Sequence, residues 1–216
     1  MKKANWNLWF YLPFFFSLGA GGVLLSAVQK GDDVLFVNGL HSLFLDNLFY
    51  YGTTLGDGML YLIVAVALLW KNIRHALVAF ACFSLTGILI QVLKKIVFFE
   101  MMRPAAMLGD EPLHFVEGLK ILKMYSFPSG HAAMAFSMFC LLSQLVRARW
   151  FGFIFLVLAL TAGVSRVYLV QHFFVDVFFG AILGVSVTSM VWLWFSQKPV
   201  LQQWSGKTLL FYFRRA

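Results

Sequence analysis

Charge is what this chain has least of. Only 12% of its 216 residues are Asp, Glu, Lys or Arg, and nine of those are acidic. A soluble domain of this length needs far more charge to cover its surface, which excludes an ordinary water-soluble globule. Cysteine is nearly absent as well. Cys82 and Cys140 both sit in apolar runs, so a disulfide framework is excluded and both are expected to be small buried hydrophobes. No Cys/His cluster with zinc spacing occurs, so no metal ligand set is expected. Repeats and low-complexity segments are missing too, which points to a single domain over residues 1–216. The net charge of +8 does not signal nucleic acid, because the basic residues are scattered between apolar segments.

Hydrocarbon fills the chain instead: 61% of residues are hydrophobic and 25 are Phe. A crossing helix needs about 20 apolar residues. Such runs predict an all-α, polytopic membrane protein, a bundle of six transmembrane helices near residues 8–28, 58–70, 75–99, 127–146, 150–170 and 173–195. The second run is short and is expected to begin earlier, near Leu48, or to lie tilted. Residues 31–57 mix apolar side chains with Asp32, Asp33, His41, Asp46 and Asp57, the pattern of an amphipathic interfacial segment after the first span. The first run is long enough to span and no clear A-x-A site follows it, so an uncleaved helix is expected.

Basic residues orient the bundle. With the N-terminus in the cytoplasm, the cytoplasmic segments carry Lys2, Lys3, Lys71, Arg74, Arg147, Arg149, Lys198, Lys207, Arg214 and Arg215 and no acidic residue. All nine acidic residues fall on or near the opposite face, the periplasmic side if the membrane is a bacterial inner membrane. Lys94, Lys95, Arg103 and Arg166 break the rule by lying on the outward side, at or near span ends. Basic groups there cost free energy and are functional candidates, although a single lysine can simply snorkel to headgroups.

Three polar patches punctuate that outward end. Lys94-Lys95 leads to Arg103-Pro104; Pro128-Ser129-Gly130-His131 opens the fourth span; Ser165-Arg166 is followed by His172 and Asp176. The free N–H groups at a helix start, with Ser129 and Gly130 there, favour an anion. Arg103 and Arg166 can each fork two hydrogen bonds to phosphate oxygens, and a lysine adds a point charge. Together they form an oxyanion cage suited to phosphoryl transfer. His172 and Asp176 are four apart and share a face if helical; the carboxylate can fix the tautomer and leave the other ring nitrogen free to attack phosphorus. His131 can protonate the leaving group and later activate water. Each patch alone is a weak signal, and an isolated histidine on an apolar helix is usually a packing residue, as expected for His41, His75 and His114. Their joint occurrence in order on one membrane side makes coincidence improbable.

The patches resemble the signature of the type 2 phosphatidic acid phosphatase (PAP2) superfamily, K-x6-R-P, P-S-G-H and S-R-x5-H-x3-D. The resemblance implies phosphate-binding or catalytic roles for Ser129, Gly130, His131, Arg166, His172 and Asp176, with His172 as nucleophile and His131 as acid, and no metal or other cofactor. The first patch departs from the pattern, because Ile96 stands seven residues before Arg103, where the pattern has Lys. An extra residue at the helix end is expected to bring Lys95, or less readily Lys94, to the phosphate. The site opens beside hydrocarbon, so a phosphate on a lipid anchor is the expected substrate: undecaprenyl diphosphate, phosphatidylglycerophosphate, phosphatidic acid or a lipid A phosphate. Residues 105–125, with Asp110, Glu111, His114, Glu117, Lys120 and Lys123, either select the headgroup or form an ordinary solvated loop. Transfer of the phosphoryl group to an acceptor is the alternative enzyme reading, and an anion or lipid transporter the alternative outside enzymes. No nucleic-acid partner and no obligate protein partner is expected.

Overall fold

The computed structural model describes residues 6–197, so Lys2, Lys3, Lys198, Lys207, Arg214 and Arg215 lie outside the described residues. Nine α-helices follow one another among the described residues: α1 (Leu8–Ala27), α2 (Asp32–Gly39), α3 (Leu43–Gly52), α4 (Gly58–Lys71), α5 (Ile73–Val92), α6 (Pro104–Met107), α7 (Gly130–Leu145), α8 (Phe151–Tyr168) and α9 (Phe174–Gln197). A 3-10 turn, Thr53–Gly56, links α3 to α4, and a π turn, Leu93–Val97, extends α5. No strand occurs among the described residues, so the all-α expectation holds.

Among the described residues, four helical segments are long and apolar enough to cross a membrane: Leu8–Ala27, Ile73–Val97, Phe151–Tyr168 and Phe174–Gln197. A fifth arises if Leu43–Gly56 and Gly58–Lys71, which meet at 53°, form one bent span. Counted as one span, the short second run begins earlier, at Leu43, and the bend falls where Asp57 ends one helix and caps the next, its carboxylate accepting from Met59 N–H. Much of the segment expected to be interfacial is thus taken into α3 and that bent pair. The run expected to be the fourth span forms α7, an apolar helix that at 16 residues is shorter than these four. It begins at Gly130 because Pro128 has no N–H to give a helix interior and Ser129 acts as N-cap.

The axis of the bundle is α7, most of whose side chains are buried. Lipid tails are as apolar as leucine, so helices hold together in a membrane by close packing and interhelical polar contacts. Both are present. Gly180 and Gly184, one turn apart on α9, lie so close to α7 that added Cβ atoms would stand 2.6 Å from Ser129 O and 2.2 Å from Ala133 O. Ser137 on α7 shares hydrogen bonds with Tyr61 of α4 (3.1 Å) and Thr188 of α9 (2.7 Å), and receives one from Thr86 of α5 (3.4 Å). Cys82 and Cys140 are buried free thiols, as expected. This packing gathers at one end of the bundle the starts of α7 and α9, the end of α8 and the π turn.

Candidate active site

The start of α7 is fastened to the start of α9. Ser129 Oγ accepts from Ala132 N–H at 3.4 Å, and Ser129 N–H donates to Asp176 O at 2.9 Å. Helix geometry leaves the N–H groups of Gly130 and His131 without intrahelical acceptors, at the positive end of the α7 dipole. On the other side of α7, an added Cβ on Gly56 would lie 2.7 Å from His131 O, so the 3-10 turn before α4 closes against the base of His131.

The end of α8 reverses so that Arg166 and His172 return to each other. Arg166 O accepts both Gln171 N–H (2.9 Å) and His172 N–H (3.0 Å). Val170 makes the reversal at φ 57°, a left-handed conformation that is strained for a β-branched residue. Strain of this kind costs about 1–3 kcal/mol. Burial of its side chain beside Val34, Val167 and Phe173 returns about 1.5–3 kcal/mol and offsets it.

His172 is wholly buried and its Nδ1 faces Asp176 Oδ2 at 3.3 Å. An ionised carboxylate only accepts, so Nδ1 carries the proton and Nε2 keeps its lone pair. The same Oδ2 accepts from Phe173 N–H (3.0 Å) and from the Ser126 hydroxyl. Burial first, then the charges of Lys94, Arg103, Arg166 and His131, push the His172 pKa well below the ordinary imidazole value. A neutral imidazole ringed by cations is poised to donate electrons to an electrophile that is itself anionic.

The cations come from three elements. Arg103 is buried; its Nε donates to Met124 O (2.9 Å), and its Nη1 to Gln171 O (3.0 Å) and Gln171 Oε1 (3.3 Å). Burial draws its pKa down, and Asp176 acts in the opposite sense. Arg166 is also buried; its Nη1 donates to Thr53 Oγ1 (2.6 Å) and its Nη2 to Gln171 Oε1 (3.4 Å). Arg166 Nε is buried with no partner, a donor in want of an oxygen. Lys94 Nζ donates to Tyr125 O at 2.9 Å and lies in the electrostatic field of Arg103, Asp176 and Arg166.

Arg103, Ser129, Gly130, His131, Arg166, His172 and Asp176 therefore meet at one end of the bundle, linked by the contacts above and, for His131, by the fields of Arg166, Lys94 and Arg103. Lys95 does not join them by any contact; it is exposed, and Lys94 points inward instead. The π turn is the reason. Its bond from Phe98 N–H to Leu93 O (2.8 Å) spans five residues, which inserts one residue and changes which lysine faces the bundle. Motif reading does not find Ser126, Gln171 or Thr53. Gln171 carried a faint signal, an amide in an apolar run beside His172; Thr53 carried none. Residues 105–125 contribute backbone rather than charge, since Lys120, Lys123, Met124 and Tyr125 turn carbonyls to the site while both lysines are exposed. His114 pins that stretch from outside: it contacts Asp46 at 3.0 Å and stacks on His41 at 4.3 Å.

The family model described as "PAP2 superfamily" matches residues 75–199, more than half of the chain. The solved structure of Aquifex aeolicus LpxE is similar at 28% identity and a TM-score of 0.65, covering 73% of this chain and 91% of that one. A PAP2-type phosphatidylglycerolphosphate phosphatase from Bacillus subtilis is similar in fold at 23% identity and a TM-score of 0.61, covering 83% and 91%. No curated protein matches the chain by sequence. With all three motif patches brought to one end of an apolar helical bundle and the family match spanning them, the chain belongs to the PAP2 superfamily and is a membrane-embedded phosphoric ester hydrolase.

Proposed function

We propose that this protein removes phosphate from a membrane lipid, through a phosphohistidine on His172 and without a metal ion. The observation that carries the reading is the pairing of a buried His172–Asp176 couple with two buried guanidiniums, one of which holds an unpartnered N–H. Nε2 of neutral His172 attacks phosphorus and the ester P–O bond breaks. His131 gives a proton to the departing alkoxide, and Asp176 steadies the imidazolium. His131 then takes a proton from water as its oxygen attacks the phosphohistidine, so inorganic phosphate leaves and His172 is neutral again. Arg103, Arg166, Lys94 and the N–H groups at Gly130 and His131 hold the equatorial oxygens throughout.

A lipid substrate is supported by the position of the site at the end of apolar helices, and by the two structural relatives named above, one of them a phosphatidylglycerolphosphate phosphatase. In this reading the chain is one domain of six spans, with α7 and the bent α3–α4 pair completing the four longer helices. Lys71, Arg74, Arg147 and Arg149 mark the cytoplasmic end. The site then faces the periplasm of a bacterial inner membrane, with residues 31–57 partly in the interface.

Phosphate release by the detergent-purified protein, with EDTA present, tests the reading on the four lipid classes named above. Wild type is expected to release phosphate, and folded His172→Ala to release none. Full activity in His172→Ala, or loss of wild-type activity on chelation, would overturn the mechanism.

A further inference from the structure

The acceptors that hold the two arginines are all neutral. Arg103 is held by Met124 O, Gln171 O and Gln171 Oε1; Arg166 is held by Thr53 Oγ1 and the same Gln171 Oε1. The ion pairs among the described residues are His114–Asp46 and His172–Asp176, so no carboxylate contacts either guanidinium. Buried guanidiniums are normally paired with acids, because an unpaired buried charge is costly. Here that pairing is withheld, and a single amide does the aiming.

We propose that Gln171 is a positioning residue that converges Arg103 and Arg166 on one point while leaving both charges uncompensated for a phosphoryl group. The inference rests on the phosphate-clamp reading above and adds to it a residue outside the motif pattern. Geometry supports the role. Gln171 is buried, its Oε1 bridges guanidiniums that come from residues 103 and 166, and its Nε2 donates to Lys120 O at 3.1 Å, which fixes the amide's orientation. A carboxylate in the same place would still accept from both guanidiniums, but it has no N–H to give Lys120 O and would occupy the clamp electrostatically. An apolar side chain of similar length would keep the volume and lose the convergence. These two failures differ in kind and can be read apart.

The test compares Gln171→Glu and Gln171→Met in the full-length protein, each checked for an unchanged thermal melt in detergent. The measurements are KM, kcat and competitive inhibition by inorganic phosphate, with direct phosphate binding followed by 31P NMR. Gln171→Glu is expected to raise KM and weaken phosphate binding on the order of tenfold or more, with a smaller change in kcat. Gln171→Met is expected to weaken both by only a few fold. Values within about twofold of wild type for Gln171→Glu, or equal losses in the two variants, would overturn the proposal. Phosphate binding that depends on Gln171 in a protein that hydrolyses no ester would retire the hydrolase reading and keep this one. Lipid hydrolysis with an unaltered KM in Gln171→Glu would retire this one alone. No phosphate binding by wild type would sink it as well.

Discussion

The Ser126 hydroxyl donates to Oδ2 of Asp176 across fifty residues of sequence, buried at one end of the bundle. That oxygen is also the one facing His172 Nδ1 and capping Phe173 N–H. Three donors thus fix one carboxylate oxygen, and through it the orientation of the imidazole that faces the cations.

Removing the first donor should loosen the imidazole without removing it. A hydrogen bond to a charged group is worth about 1.5–3 kcal/mol. Ser126→Ala is therefore expected to lower kcat by about tenfold or more, with KM changed less. Steady-state kinetics on the best lipid substrate check this, and an unaltered kcat would remove Ser126 from the site.

The environment of His172 sets a pH dependence with a definite sign. Burial, then the nearby positive charges, lower its pKa well below the ordinary 6.5, so the neutral nucleophile persists as pH falls through that value. The acid limb of kcat/KM that belongs to His172 is expected below the usual imidazole range. His131 must be protonated to act as acid, so activity should fall on the alkaline side too. Unfolded chains take up a proton at this residue near pH 6.5 and the folded chain does not, so stability from this group is lost as pH drops below that point. A pH–rate profile that is flat throughout the acid range would count against two-histidine chemistry.

The two lysines before Arg103 separate in the structure and should separate in kinetics. Lys94 is held at Tyr125 O beside the arginines, whereas Lys95 is exposed. Lys94→Ala is expected to reduce kcat/KM on the order of tenfold or more, and by a clear margin over Lys95→Ala. Equal losses in the two variants would contradict the placement made by the π turn. Because Lys94 is the largest positive influence on His172, Lys94→Ala should also move the acid limb to higher pH.

Close packing of α9 on α7 predicts a structural lesion at a residue that has no side chain to lose. A Cβ at Gly184 would stand 2.2 Å from Ala133 O, a backbone atom that cannot swing away. Gly184→Ala should cost at least about 1–3 kcal/mol by overpacking. A lowered melting temperature in detergent checks it, and a wild-type melt would mean that the helices can part without loss.

Composition and spacing by themselves determined that the chain is helical and built for hydrocarbon, and they named most of the motif residues that the fold gathers at one end. Apolar runs can satisfy their backbone in a membrane only as helices or closed barrels, and His172 and Asp176 carry their relation in their own spacing. The length of each crossing segment was less legible. Pro128 and Ser129 shorten α7, and Asp57 starts a new helix at the 53° bend before α4, because capping decides where a helix starts. Only the tertiary structure decided which lysine faces the arginines, since one extra residue in a π turn rotates every side chain that follows. It alone brought Thr53, Met124 and Gln171 to the guanidiniums. These acceptors are ordinary residues far apart in the chain, and what makes them part of the site is a hydrogen bond that exists only once the helices have packed.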